Sequence, residues 1–149
     1  MRVERHYGNR LMRCFAQRPA SVNAMLADAV ARNASGEALV CGELRLDYMD
    51  LDSEVGRLAG GLAGRGIAPG ERVALLLPNS AEFVIAMLAI FRLGAIAVPL
   101  NVREGPNELG FVLANCGASA LIFDTALAVS LPPRNATPAL VHRLPVDIT

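Results

Sequence analysis

The stretch "RVALLLPNSAEFVIAMLAIFRLGAIAVPLN", residues 72–101, decides how this chain reads. Arg72 to Leu77 is an unbroken apolar run of strand length, as expected of a parallel strand covered on both faces. Pro78-Asn79-Ser80 makes a turn, and Asn79 is placed to cap the next helix, with Glu82 at its third position as a box-like partner. That helix is expected to reach about Leu93 and to stop at Gly94. Ala95 to Val98 then forms a second buried strand, and Pro99-Leu100-Asn101 leads out of it. The apolar run 83–98 invites a membrane reading, but Arg92, Gly94 and Pro99 interrupt it short of the about 20 residues a span needs.

Working outward, Glu104-Gly105-Pro106 opens another helix with proline in its first turn, and Leu109, Val112, Leu113 and Cys116 keep helical spacing up to Gly117. Ser119 to Phe123 is a third strand ending at Asp124. Residues 71–124 therefore read strand–helix–strand–helix–strand, and two right-handed crossovers in series give a three-stranded parallel βαβαβ core of the α/β class.

Upstream, Val22, Met25, Leu26, Ala29 and Val30 form one face of a helix over 21–33, with Ser21 as its cap. Ala38–Cys41 and Leu44–Leu46 flank Gly42-Glu43 as a hairpin, and a second helix runs from Asp47 to Arg65. The glycines of "GGLAGRG" resemble a phosphate loop by composition alone. Such a loop follows a strand and opens a helix, whereas these glycines close a helix and precede a strand. The expected organisation is a lead-in over 1–20, a partial α/β subdomain over 21–124, and a Pro-rich linker or truncated continuation over 125–149, which holds four of the nine prolines.

The chain is 53% apolar and 19% charged, which excludes disorder, and its formal net charge of zero gives no general case for nucleic acid. All fourteen basic residues are arginine, so no Schiff base, phosphate-loop lysine or lysine base exists in it. Cys14, Cys41 and Cys116 make neither a CxxC pair nor a disulfide framework, which fits a reducing cytosol. The two histidines, His6 and His142, stand near opposite ends of the chain, and packing is the expected role of Cys41 and Cys116. The N-terminal segment has five arginines against one glutamate but no apolar core of a secretory signal, and it reads as an ordinary lead-in.

Residues from about 21 to 124 resemble the N-terminal part of the adenylate-forming acid–thiol ligases, and the resemblance lies in residues 44–124, "LRLDYMDLDSEVGRLAGGLAGRGIAPGERVALLLPNSAEFVIAMLAIFRLGAIAVPLNVREGPNELGFVLANCGASALIFD". That family includes acyl-CoA synthetases, luciferases and nonribosomal peptide adenylation domains, and the opening residues look most like the acyl-CoA ligase branch. Two departures are Asp47, where threonine is usual, and "REGPNE" after "PLN". The resemblance implies a partial N-terminal subdomain of the acyl-CoA synthetase fold and a role in fatty acid metabolism. It also implies ATP, Mg2+ and CoA as cofactors of the whole enzyme, with none held tightly by this segment. In the family, ATP activates a carboxylic acid as an acyl-adenylate, and CoA then attacks to give a thioester.

The family's Gly-rich phosphate loop has no match between Asp124 and Thr149, and its catalytic lysine has no counterpart in a chain without lysine. No catalytic residue and no metal ligand is carried over. One cofactor-binding residue is: the arginine two places after the "PLN" asparagine contacts CoA phosphates in some relatives, and here it is Arg103. A solvated loop arginine is the other reading. "PNSAEF" is expected to be scaffold, with anion binding by the helix's first amides as its alternative.

The leading expectation is thus the N-terminal part of an acyl-CoA ligase, cytoplasmic, without a membrane span and inactive alone. The alternative is a non-catalytic interaction module that pairs with itself or with a missing ligase remainder through an exposed edge and apolar face. A stand-alone nucleotide binder rests on the βαβ pattern only.

Overall fold

The structure, a computed structural model, describes residues 1–148. Its centre is a parallel sheet in the order β6-β5-β7-β8, built from β5 (Arg72–Leu76), β6 (Ile96–Pro99), β7 (Ala120–Asp124) and β8 (His142–Val146). All three pairings are parallel, with Ala74 opposite both Val98 and Leu121, and Ile122 opposite Leu144. The three-stranded core expected over 71–124 is present, and among the described residues β8 adds a fourth strand to it. The extra strand, β8, lies inside the stretch read as linker or continuation. Pro138 before it and Pro145 within it hid the signal, yet Leu144, Val146 and Ile148 alternate and all pack on one face of the sheet. Pro145 is tolerated there because β8 lies at the sheet's edge.

Alternation along the central strands explains why "RVALLL" has no polar position. Val73, Leu75 and Leu77 face helix α3 (Ala81–Leu93) together with Ala86 and Ile90. Ala74 and Leu76 face α4 (Pro106–Cys116) together with Leu109 and Leu113. Both sets are buried, as a strand sandwiched between helices requires. A third cluster joins α1 (Val22–Asn33), α2 (Tyr48–Gly64) and α3 through Leu26, Leu51, Val55 and Ala89. The hairpin β3 (Glu37–Cys41) and β4 (Leu44–Asp47) lies against it through Leu39 and Leu46.

The helix ends follow capping chemistry. Ser21 Oγ accepts from the Ala24 amide, as expected. Asp47 Oδ1 accepts from the Asp50 amide at 2.8 Å and caps α2, a role that the threonine implied there by the resemblance would fill equally. The expectation for α3 needs correction. Its cap is Ser80, not Asn79: Ser80 is the last residue with extended backbone (φ −149, ψ 171), and its Oγ accepts from the Phe83 amide at 3.2 Å. Asn79 is exposed, and Glu82 stands one place too early to complete a box.

Gly94 ends α3 in the left-handed region at φ 77, where a β-carbon would also press on Pro69 at 3.3 Å. Gly110, inside α4, lets Pro132 pack close: an added β-carbon would sit 3.3 Å from that ring. Arg72 closes α4 at its other end. Its Nε donates to the Cys116 carbonyl at 2.7 Å and its Nη2 to the Gly117 carbonyl at 2.9 Å, satisfying acceptors that a helix C-terminus leaves open.

Arg92 ties three helices. It donates to Asn23 Oδ1 of α1 and to the Asp52 carbonyl of α2, and it pairs with the Asp52 carboxylate.

The lead-in is not featureless. Residues Arg2–His6 (β1) and Arg10–Cys14 (β2) form a separate antiparallel hairpin across a Tyr7-Gly8-Asn9 turn.

Candidate functional site at the carboxyl edge of the sheet

From β5 the chain passes through α3 to β6 on one side, and from β6 through α4 to β7 on the other. The switch in direction lies between β5 and β7, and in open α/β sheets the crevice outside the carboxyl ends at such a switch receives ligands. The residues delivered there are Pro78, Asn79 and Ser80 after β5, Asp124 and Thr125 at the end of β7, and Asp147 after β8. Leu100 to Glu104 follow β6 beside them.

Most of these polar groups already have structural partners. Ser80 caps α3. Asp124 is buried, and its Oδ1 accepts from the Ala126 amide at 3.0 Å to start a short 3-10 helix over Thr125–Ser130. Thr125 Oγ1 donates to Asp147 Oδ1 at 2.5 Å, joining the ends of β7 and β8. Asn101 Oδ1 accepts from the Arg103 amide at 3.1 Å, which folds the loop after β6. The Arg103 side chain is exposed and makes no ion pair among the described residues. The Asp124–Thr125–Asp147 link was not anticipated, because it depends on β8.

Beside this edge an open cavity of about 660 Å3 runs between α2, α3 and the β7–β8 half of the sheet. Ile122, Leu144 and Val146 form its floor, Leu58, Leu62 and Ile85 its walls, and Glu54, Arg57, Arg65 and Glu82 carry charge to it. Leu144 and Val146 are only half-buried there, although parallel strands are normally covered on both faces.

A family profile described as "AMP-binding enzyme" matches residues 26–147. The chain belongs to the AMP-binding enzyme family. Within it, the chain is 38% identical over 122 residues to an isonitrile lipopeptide synthase of Mycobacterium tuberculosis, covering 81% of this chain and 5% of the relative. It is 46% identical over 81 residues to a feruloyl-CoA synthase of an Amycolatopsis species, covering 54% and 16%. Among solved structures, a Mycobacterium tuberculosis fatty acyl CoA synthetase superimposes with a TM-score of 0.80 at 28% identity, over 85% of this chain and 26% of that one. The anthranilate CoA ligase AuaEII in complex with anthranoyl-AMP gives 0.78 at 29% identity, over 85% and 25%. The chain thus spans less than a fifth of these curated relatives and about a quarter of these solved chains.

The AMP-binding fold and the α/β class anticipated from residues 44–124 are those observed. The residues at the carboxyl edge are by themselves an incomplete set for a nucleoside triphosphate. The chain has no lysine to meet the transferred phosphate, and β5 leads into a Pro-Asn-Ser turn without a glycine cradle. Magnesium fares no better. Among the described residues, one group gathers three ligand-type side chains, Glu4, His6 and Cys14, and it belongs to the N-terminal hairpin.

That group was missed because residues 1–20 were read as a lead-in without strands to pair His6 with Cys14. The hairpin brings His6 Nε2 to 3.5 Å from Cys14 Sγ and 3.0 Å from Glu4 Oε2. Arg18 and then Arg2, both bonded to the Glu4 carboxylate, hold its pKa down to about 2. Two guanidinium groups therefore already neutralise the carboxylate that a cation would need.

Proposed function

We propose that this chain is the N-terminal part of an ATP-dependent acyl-CoA ligase, which converts a carboxylic acid and ATP to an acyl-adenylate and then to a thioester with CoA. The observation that carries the reading is the match over residues 26–147 to the AMP-binding family. The 46% identity to a feruloyl-CoA synthase favours a CoA-using branch. In this reading the chain supplies framework. It holds β5, β7 and β8 in register, so that their carboxyl ends present one wall of the acid and nucleotide site, and it contributes no group to phosphoryl chemistry. The isolated chain is then inactive in adenylation. The test is ATP–pyrophosphate exchange with magnesium and a panel of fatty and aromatic acids, and exchange by the 149-residue chain would refute it.

Arg103 is the residue proposed to meet CoA. Its planar guanidinium is exposed on the loop after β6, and it pairs naturally with phosphate oxygens. In an intact ligase carrying this segment, Arg103→Ala raises KM for CoA and leaves KM for ATP unchanged. Steady-state kinetics with an unaltered CoA KM would remove it from the site.

The open apolar cavity over Ile122, Leu144 and Val146 favours a second reading, a module that associates with a ligase remainder or with another copy. Light scattering on a size-exclusion column distinguishes the two. A salt-insensitive monomer that ignores added ligase remainder counts against the second reading.

A further inference from the structure

Charge is divided unevenly along this neutral chain. Residues 1–18 carry five arginines and one glutamate, and residues 19–149 carry nine arginines and thirteen acids. The basic part is the β1–β2 hairpin, which lies outside the family match and does not pack on any helix or strand of the body to a significant degree. A two-stranded hairpin with no core behind it is marginal by itself, so its faces need an explanation.

The register separates those faces. Arg2 pairs with Cys14, Glu4 with Met12 and His6 with Arg10 on one side; Val3 pairs with Arg13 and Arg5 with Leu11 on the other. On the first side Glu4 gathers Arg2, His6 and Arg18, and Glu4, His6 and Cys14 are half-buried. Among the described residues nothing covers the second side. Val3 is 62% exposed and Leu11 68%; Phe15, just past the end of β2, is 69% exposed, and Arg5 and Arg13 stand free between them. No acid lies on that side, because the hairpin's single carboxylate is held on the other by Arg18 and Arg2. Neither Arg5 nor Arg13 forms an ion pair among the described residues.

We propose that this outer face of the hairpin docks on an anionic phospholipid surface. A checkerboard of aliphatic, aromatic and arginine side chains suits the boundary between headgroups and acyl chains. The apolar groups enter it, and the guanidinium groups reach the lipid phosphates while their stems stay in apolar contact. A nucleic acid would use Arg5 and Arg13 but leave Val3 and Leu11 in water, so it accounts for half of the face. The binding is peripheral: no helix among the described residues is long and apolar enough to cross a membrane. This assignment is independent of the ligase reading.

The experiment is co-sedimentation of the whole chain with vesicles of phosphatidylcholine alone or mixed with phosphatidylglycerol. The chain is expected to bind the acidic vesicles at least roughly tenfold more strongly, with the difference reduced by salt. Arg5→Gln with Arg13→Gln lowers partitioning roughly 30-fold, at about 1 kcal/mol for each basic residue at an acidic surface. Val3→Ser, Leu11→Ser and Phe15→Ser together lower it by more than roughly tenfold. Neither set alters the circular dichroism melt of the body, which the hairpin does not support.

Equal binding to neutral and acidic vesicles overturns the proposal, as does acidic-vesicle binding unaffected by the three serine substitutions. Tighter binding to an oligonucleotide than to acidic vesicles overturns it in favour of nucleic acid. A lipid-free dimer abolished by the serine substitutions, together with no vesicle binding, overturns it in favour of a second copy of the chain.

Discussion

Replacing Ser80 by alanine and, separately, Asn79 by alanine distinguishes two accounts of how the central strand hands over to α3. Ser80 is buried, and its Oγ is the acceptor for the Phe83 amide. Alanine there leaves that amide without its partner at a point where water has little access. Loss of a helix cap costs roughly 0.5–2 kcal/mol, and burial places this one in the upper half, near 1.5 kcal/mol. For a chain of this size the melting temperature falls by roughly 3–6 °C. Asn79 is exposed and not part of the cap, so Asn79→Ala stays within about 0.5 kcal/mol of the parent. Urea and thermal unfolding followed by far-ultraviolet circular dichroism give both numbers. A destabilising Asn79→Ala beside a neutral Ser80→Ala would refute the capping assignment.

Arg72→Met removes two charge-assisted hydrogen bonds to the end of α4 while keeping a long apolar stem. It is expected to cost about 2 kcal/mol after allowance for partial exposure, read as a lower urea midpoint with unchanged slope. Glu4 is bound by Arg18 and Arg2 and has a pKa of about 2, against an ordinary 4.5. A carboxylate lowered in the folded state contributes stability that is complete above the ordinary value and lost as pH falls towards the lowered one. The tie between Arg18 and the hairpin therefore persists at pH 4.5 and fails near pH 2. Carbon-detected NMR of the Glu4 carboxyl should show a midpoint near 2, and a midpoint near 4.5 would contradict the geometry.

The fold was legible where a residue pattern had one physical cause. "RVALLL" is apolar throughout because β5 faces α3 with one set of side chains and α4 with the other. Gly94 and Gly117 mark helix ends because both take left-handed backbone there. Capping chemistry was legible to within one residue at α3, since Asn79 and Ser80 are both capable caps and only the backbone turn chooses between them. β8 was obscured because Pro145 interrupts a pattern whose apolar alternation, Leu144, Val146 and Ile148, continues through it. The N-terminal hairpin was obscured for another reason. Arginine and apolar residues share one face of it, so no contrast between hydrophobic and polar positions signals a strand.

The candidate site was legible mainly as missing chemistry. A chain without lysine cannot carry the family's phosphate-binding or catalytic lysine, whatever its fold. What composition did not reveal is how fully the remaining polar groups are employed, with Ser80, Asp124 and Asp147 all engaged in capping or strand-end bonds.

The most direct measurement is ATP–pyrophosphate exchange by the purified chain, with magnesium and the acid panel, against a complete acyl-CoA ligase as positive control. The framework account predicts no exchange above the enzyme-free blank for any acid. Acid-dependent exchange that co-purifies with the chain would contradict it.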